Sequence, residues 1–123
     1  MNPLRTLADK GQAVWLDVLS RDLIASGELA RLIRDDGVAG VTSNPAIFEK
    51  AIGGSDSYDA EIARLAGAGE VAIGDIYERL ATADIAAAAD LFRPLYDASG
   101  GRDGFVSLEV SPYLAMDTEG TLA

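Results

Sequence analysis

The sequence contains no cysteine and no histidine. Disulfides, thiol nucleophiles and zinc sites built from Cys and His are therefore excluded, and a serine nucleophile would lack a histidine base. Carboxylates, lysine, tyrosine, hydroxyls and amides are the groups left for chemistry. Lys10 falls in the N-terminal segment and Lys50 in a predicted helix, so neither lysine lies on a strand or is an obvious Schiff-base amine.

Basic residues are also scarce, with 10 Lys and Arg against 20 Asp and Glu and a formal net charge of −10. Phosphate backbones and anionic membrane surfaces attract clustered Lys and Arg, so we expect no nucleic-acid partner and no membrane partner. The apolar runs fall short of the roughly 20 residues that a membrane helix needs, and the N-terminus lacks an apolar signal core. We expect a cytoplasmic protein, and a length of 123 residues suits one domain.

The apolar pattern predicts strands separated by helices. Strands are expected over 13–19, 38–43 and 105–110, and helices over 20–36, 44–52, 55–69, 72–81 and 82–99. The first strand is typical of one buried on both faces, because Asp17 alone interrupts its apolar run. Pro94 should kink or end the last of these helices. Strands separated by helices imply a parallel sheet with crossovers, hence an α/β fold.

Each predicted strand carries polar residues toward its C-terminal end. They are Asp17 on the first strand, Thr42, Ser43 and Asn44 at the end of the second, and Ser107, Glu109 and Ser111 on or after the third. The C-terminal ends of parallel strands meet at one edge, where α/β sheets and barrels carry their sites. The apolar neighbours of Asp17 predict a buried carboxylate, which must be paired, hydrogen-bonded or protonated.

Three of these candidates also have a purely structural interpretation. Asp17 could bond a helix N-terminus, and Glu109 could simply face solvent. Asn44 followed by Pro45 is typical of a helix start, with Asn as the cap. A capping Asn44 would use its side-chain oxygen on the backbone N–H of residue 46 or 47, whereas a ligand-binding Asn44 would point between Asp17 and Glu109. We expect the second pose.

The stretch GVTSNPAIF, residues 40–48, resembles the N-terminal signature of the transaldolases at every position. VWLDVLSRDL around Asp17, IFEKAI, and DGFVSLEVSP around Glu109 resemble the bacterial, longer-chain branch of that family. The resemblance implies a (β/α)₈ TIM barrel. Residues 1–123 would be the N-terminal part of that single domain, with three strands and their helices, truncated before the fourth strand.

The same resemblance implies a transferase of the pentose phosphate pathway, which moves a dihydroxyacetone unit from sedoheptulose 7-phosphate to glyceraldehyde 3-phosphate. Its Schiff-base lysine would lie on the fourth strand, outside this chain, and no metal or organic cofactor would be needed. Asp17 and Glu109 would be the catalytic acid/bases, Glu109 acting through a water. Asn44 would hold the hydroxyls of the sugar-phosphate substrate, and Thr42 would be a neighbouring support.

Two other functions stay open. A small stand-alone α/β binding module would need both faces of its sheet covered. A related Schiff-base aldolase, such as a fructose 6-phosphate aldolase, would share the barrel, although the long helical segment between the second and third strands favours the longer transaldolases. Three strands cut from a barrel leave open edges and an uncovered apolar face. We therefore expect the isolated chain to be marginally stable or to self-associate, and to show no turnover.

Overall fold

Residues 2–69 and 71–123 are described by a computed structural model of the chain. In chain order the elements are helix α1 (Pro3–Asp9), strand β1 (Trp15–Leu16), helices α2 (Arg21–Ala25) and α3 (Glu28–Arg31), strand β2 (Gly40–Val41), helices α4 (Pro45–Gly53), α5 (Asp59–Gly67) and α6 (Ile73–Ala98), strand β3 (Phe105–Val106) and helix α7 (Thr118–Leu122). A π-helical turn (Leu32–Asp36) continues α3, and a 3₁₀ turn (Pro112–Leu114) follows β3. In this part of the chain, no helix combines the length and apolar character needed to cross a membrane.

The three strands form one parallel sheet in the order β1-β2-β3, which confirms the predicted crossovers. The register places Gly40 between Trp15 and Phe105, and the next row holds Leu16, Val41 and Val106. Each strand has only two paired residues, far fewer than predicted, and the central strand β2 is no longer than the two edge strands. The ladder continues into the following row through the hydrogen bonds from Thr42 N to Leu16 O and from Ser107 N to Val41 O.

Helices pack mainly against one face of this sheet; on the other face, the ring of Tyr96 from α6 meets Phe105 edge to face, with the ring centroids 5.6 Å apart. The row of Leu16, Val41 and Val106 packs into the hydrophobic core. The buried members of that core are Leu19, Leu29, Val38, Val41, Phe48, Ala81, Ala88 and Phe92. On the opposite face Trp15 is 39% exposed and Phe105 is 45% exposed. The prediction that the first strand is buried on both faces is therefore wrong, since no element of the described chain covers its second face.

Helix α6 also differs from the prediction. One helix runs through both predicted segments, 72–81 and 82–99. The Thr82 hydroxyl donates to the carbonyl of Glu78, so this side chain stays within the helix instead of starting a new one. Pro94 does not end the helix, which continues to Ala98. Pro94 stands on the exposed side of the last turns, where a missing N–H is tolerated best.

The open face leads to a prediction for the isolated chain. Half-exposed aromatic rings and two free strand edges form a surface on which another copy can pair or pack. We expect the 123-residue chain to associate as its concentration rises. Sedimentation velocity over a concentration series measures this, and replacement of both Trp15 and Phe105 by threonine should reduce the association. A well-dispersed monomer with cooperative two-state unfolding at all concentrations would contradict the prediction.

Candidate active site

Asp17 and Thr42 meet where β1 and β2 end. The Thr42 hydroxyl donates to Oδ1 of Asp17 at 2.6 Å, and the Thr42 backbone N–H donates to the carbonyl of Leu16 at 2.9 Å. The two residues stand in the row after Leu16 and Val41, on the open face of the sheet. The predicted hydrogen bonding of Asp17 is present, but the predicted burial is wrong. Asp17 is exposed because nothing in the described chain covers this face.

Ser43 ties the end of β2 to the segment after β3. Its side chain is buried, with 4% of the residue exposed, and its hydroxyl donates to the backbone carbonyl of Ser107. Successive side chains of a strand point to opposite faces of the sheet. Thr42 therefore points to the open face and Ser43 to the helix-covered face. Ser43 therefore serves the backbone and holds the two strand ends in register.

Asn44 caps helix α4. Its Oδ1 accepts a hydrogen bond from the backbone N–H of Ile47 at 2.9 Å, and Pro45 takes the first helical position. We expected the side chain to point between Asp17 and Glu109 and not to cap the helix. That expectation is wrong, because the side-chain oxygen caps α4. The local pattern of Asn before Pro prevails because it satisfies a backbone donor that otherwise has no partner. The cap uses only the oxygen, and within the described residues Nδ2 donates no hydrogen bond.

A pair of substitutions separates the two roles of this side chain. Asn44→Ala should lower the free energy of unfolding by about 1 kcal/mol through loss of the cap, whereas Asn44→Asp keeps the acceptor oxygen and should cost little. Both variants lose the amide donor. Urea denaturation of the parent and the two variants measures how much the cap contributes to the free energy of unfolding. Equal losses for Asn44→Ala and Asn44→Asp would contradict the capping interpretation of the stability effect.

Glu109 lies beyond the paired residues of β3 and is exposed. Among the described residues it makes no hydrogen bond to Asp17, Thr42 or Asn44. Glu109 acts on Tyr77 of helix α6. The pKa of Tyr77 is raised by burial and, to a lesser extent, by the negative charge of Glu109. Of the four candidate residues expected at one edge, only Asp17 and Thr42 are therefore seen in direct contact within the described chain.

A cavity of about 310 Å³ opens beside Asp17, between the end of β1 and helix α4. It is lined by residues 17–20 and by Ile47, Lys50 and Ala51. A cavity of similar size on the outer side of α6 is lined by charged side chains and one threonine and contains none of the candidate residues. Within residues 2–69 and 71–123, no three carboxylates come together in a way that could hold a metal ion.

Sequence reasoning missed a buried polar network next to this site. Asp84 is 3% exposed and accepts hydrogen bonds from Arg21 Nε at 2.9 Å and from the Tyr58 hydroxyl at 2.6 Å. Arg21 also binds Glu61 at 2.8 Å, lies over the Tyr58 ring at 4.5 Å, and donates its backbone N–H to the Tyr58 oxygen at 2.8 Å. The network thus fixes the start of α2, four residues after Asp17, against α5 and α6.

The network predicts a specific alkaline destabilisation. Burial, together with the hydrogen bond to Asp84, raises the pKa of Tyr58 above its ordinary value. Unfolded tyrosine loses its proton near pH 10, so the contribution of Tyr58 is complete below that pH and is lost as the pH rises toward the folded pKa. The free energy of unfolding should fall there by an extra 1.4 kcal/mol or so per pH unit.

Urea denaturation between about pH 9 and pH 11 measures this slope. Tyr58→Phe should have a shallower slope than the parent, although some dependence persists because the pKa of Tyr77 is also raised. Tyr113→Phe is the matched control, since Tyr113 is 95% exposed. A Tyr58→Phe protein whose stability falls as steeply as that of the parent would contradict the prediction.

Comparison with known proteins places this chain in a family. The family described as "Transaldolase/Fructose-6-phosphate aldolase" matches residues 14–123. Transaldolase 1 of Streptomyces coelicolor is 54% identical over 120 residues, which cover 98% of this chain and 31% of that protein. Transaldolase 1 of Streptomyces avermitilis is 52% identical over 120 residues, which cover 98% of this chain and 32% of that protein. Transaldolase 2 of Nostoc punctiforme is 50% identical over 122 residues, which cover 99% of this chain and 32% of that protein.

The chain spans about a third of the length of these curated relatives. Its open sheet of three parallel strands, with helices on one face, corresponds to a section of the (β/α)₈ barrel of that family, which confirms the expected fold class. The resemblance carried by the stretch from Gly40 to Phe48 is confirmed by the same matches. This chain belongs to the transaldolase/fructose-6-phosphate aldolase family.

Proposed function

We propose that this chain supplies the first part of a transaldolase active site, which transfers a dihydroxyacetone unit from sedoheptulose 7-phosphate to glyceraldehyde 3-phosphate through a Schiff base. The observation that carries the proposal is the hydrogen bond from Thr42 to Asp17 at the C-terminal edge of a parallel sheet. That edge is where barrel enzymes place their catalytic groups. The relatives named transaldolase support the reaction class.

In this proposal Asp17 is the acid/base that handles the proton of the hydroxyl beside the broken C–C bond. The Thr42 hydroxyl occupies Oδ1 and leaves the second carboxylate oxygen available to the substrate. A carboxylate held in one orientation transfers a proton more effectively, since the transfer needs a fixed hydrogen-bond geometry. Thr42 is thus a positioning residue, and Asp17 is the catalytic residue of the pair.

Glu109 and Asn44 complete the set of proposed residues. Glu109 would act through a water molecule during formation and hydrolysis of the Schiff base, a role that suits its exposed position after β3. Asn44 would hold a substrate hydroxyl through Nδ2, because its Oδ1 is engaged in the helix cap. The Schiff-base lysine is expected on a fourth strand, so the 123 residues alone should show no turnover.

The uncovered face argues against a stand-alone binding module, since such a module would bury both faces of its sheet. The long helical segment α4–α6 between β2 and β3 favours a transaldolase over a fructose 6-phosphate aldolase. We also propose a cytoplasmic location, because the phosphorylated sugar substrates carry charge and do not diffuse through membranes.

A hybrid enzyme tests the proposal. Residues 14–123 replace the matching region of the Streptomyces coelicolor relative, and transfer activity is assayed. The hybrid should be active, and Asp17→Asn or Glu109→Gln within it should lower kcat by roughly 10²–10⁴-fold. Glu49→Gln, an exposed carboxylate of α4, is the matched control and should leave kcat unchanged. A folded hybrid without activity, or one in which Asp17→Asn is as active as the control, would contradict the proposal.

A further inference from the structure

The open face of the sheet is organised in two rows. The register sets Trp15, Gly40 and Phe105 side by side in one row. The row that follows toward the C-terminal edge on the same face holds Asp17 and Thr42. Residues two apart in a strand share a face, so an apolar row lies directly below the polar row of the candidate active site.

The Trp15 indole lies across the middle strand in this apolar row. A Cβ atom built on Gly40 would come within 2.5 Å of Trp15 Cε2 and 2.6 Å of Trp15 Cδ2. These two atoms form the bond shared by the two indole rings, so the centre of the indole, and not only its edge, covers Gly40. Trp15 as a residue is 39% exposed, so it is not fully covered by the described chain beneath Asp17 and Thr42.

We propose that the Trp15 indole is the floor of the substrate site, a specificity-determining surface that contacts the carbon chain of a ketose phosphate while the polar row takes its hydroxyls. This inference rests on the proposed function and adds a residue to it. Ligand sites combine apolar and aromatic walls with a few placed polar groups, and the two rows supply that combination on one sheet face. Gly40 is the residue that makes room for the ring.

Two measurements on the 123-residue chain separate this inference from the proposed function. Trp15 is the only tryptophan, so fluorescence emission reports on the indole alone. Fructose 6-phosphate is the ketose phosphate that forms when glyceraldehyde 3-phosphate accepts the dihydroxyacetone unit, and saturation-transfer NMR reports whether it binds at all. Both use low micromolar protein, and dilution of the protein checks that a second copy on the open face does not cause the emission change.

We expect fructose 6-phosphate to give a saturation-transfer signal and a matching saturable change in Trp15 emission, both lost in Asp17→Asn. Inorganic phosphate should give no emission change. Trp15→Leu should weaken binding of fructose 6-phosphate roughly fivefold, the loss expected for one aromatic contact. Tyr113→Leu, which removes an exposed aromatic far along the chain, is the matched control. Gly40→Ala, which displaces the indole without removing it, should weaken binding in the same direction.

The outcomes distinguish two kinds of failure. If binding depends on Asp17 but Trp15 emission does not change, the proposed function stands and the inference that the Trp15 indole forms the floor of the site is wrong. An emission change that persists in Asp17→Asn, or that follows protein concentration, would also overturn the floor. Absence of any saturation-transfer signal from the folded chain would overturn the inference together with the proposal that this face binds the substrate.

Discussion

Replacing Asp84 with alanine is expected to lower the free energy of unfolding by about 3 kcal/mol, the lower end of the range for removing one partner of a buried ion pair. Asp84 is 3% exposed and accepts hydrogen bonds from both Arg21 and Tyr58. Its removal leaves the Tyr58 hydroxyl without an acceptor in a fully buried position. Arg21 keeps its ion pair with Glu61, which is why the lower end of the range applies.

The same helix offers a matched control. Asp90 lies on α6 and is exposed, so Asp90→Ala removes the same charge at little cost. Urea denaturation at neutral pH, followed by circular dichroism at low protein concentration, compares the two variants with the parent. Because a whole domain is stable by only about 5–15 kcal/mol, the Asp84→Ala midpoint should fall markedly. A midpoint within error of Asp90→Ala would show that the network does not stabilise the fold.

A double substitution checks the cause of this loss. Asp84→Ala combined with Tyr58→Phe removes the acceptor and the hydroxyl together. The hydroxyl that Asp84→Ala leaves unpaired is then absent, so the double variant should lose less than the sum of the two single losses. Strict additivity would mean that the two side chains stabilise the fold independently, in conflict with the 2.6 Å hydrogen bond between them.

The sequence predicts the succession of strands and helices along the chain and the parallel pairing of the strands well, because both depend on local patterns. Alternation along β2 sends Thr42 to one face and Ser43 to the other, and the crossovers impose parallel strands. The short paired lengths and the exposure of Asp17 escape prediction. A run of apolar residues indicates a strand whose two faces are both suited to burial. Whether each face is covered depends on other elements that pack against the sheet.

The network of Asp84 escapes prediction for a different reason. Asp84 precedes an alanine-rich stretch of α6, and acidic residues on helices are usually solvated. Its partners lie 63 and 26 residues away in the chain, so only the packing of α2 and α5 against α6 brings them together. The one local signal is an aspartate within the apolar stripe that also carries Ala81, Ala88 and Phe92.

Asn44 shows how two interpretations of one residue can be compatible. The cap and the ligand contact seem to compete only if the side chain is treated as a single group. Oδ1 accepts from the N–H of Ile47, and the amide nitrogen is a separate donor. Capping also fixes the side-chain torsions, so the donor is oriented before any ligand arrives. The local pattern predicts the cap correctly, and the role in substrate binding stays a proposal.

Gly40→Ala is expected to destabilise the fold by about 1–3 kcal/mol, the usual range for overpacking. The new Cβ would lie 2.5 Å from the Trp15 ring and 2.9 Å from the carbonyl oxygen of Phe105. The indole can swing outward, whereas the β3 backbone cannot move without breaking the pairing of β2 with β3. We therefore expect Trp15 emission to shift to the red as the ring moves into water. Gly74→Ala is the matched control, because a Cβ there meets no atom within 4 Å and alanine favours the helix.

The contribution of the indole can be isolated by repeating the substitution in a Trp15→Leu background. If the Trp15 ring causes most of the clash, Gly40→Ala should cost clearly less there than in the parent, and the two changes should be non-additive. The residual cost would come from the Phe105 carbonyl, which is present in both backgrounds. An equal cost in both backgrounds would mean that the ring is not seated on Gly40. The inference that the Trp15 indole forms the floor beneath Asp17 and Thr42 would then fail.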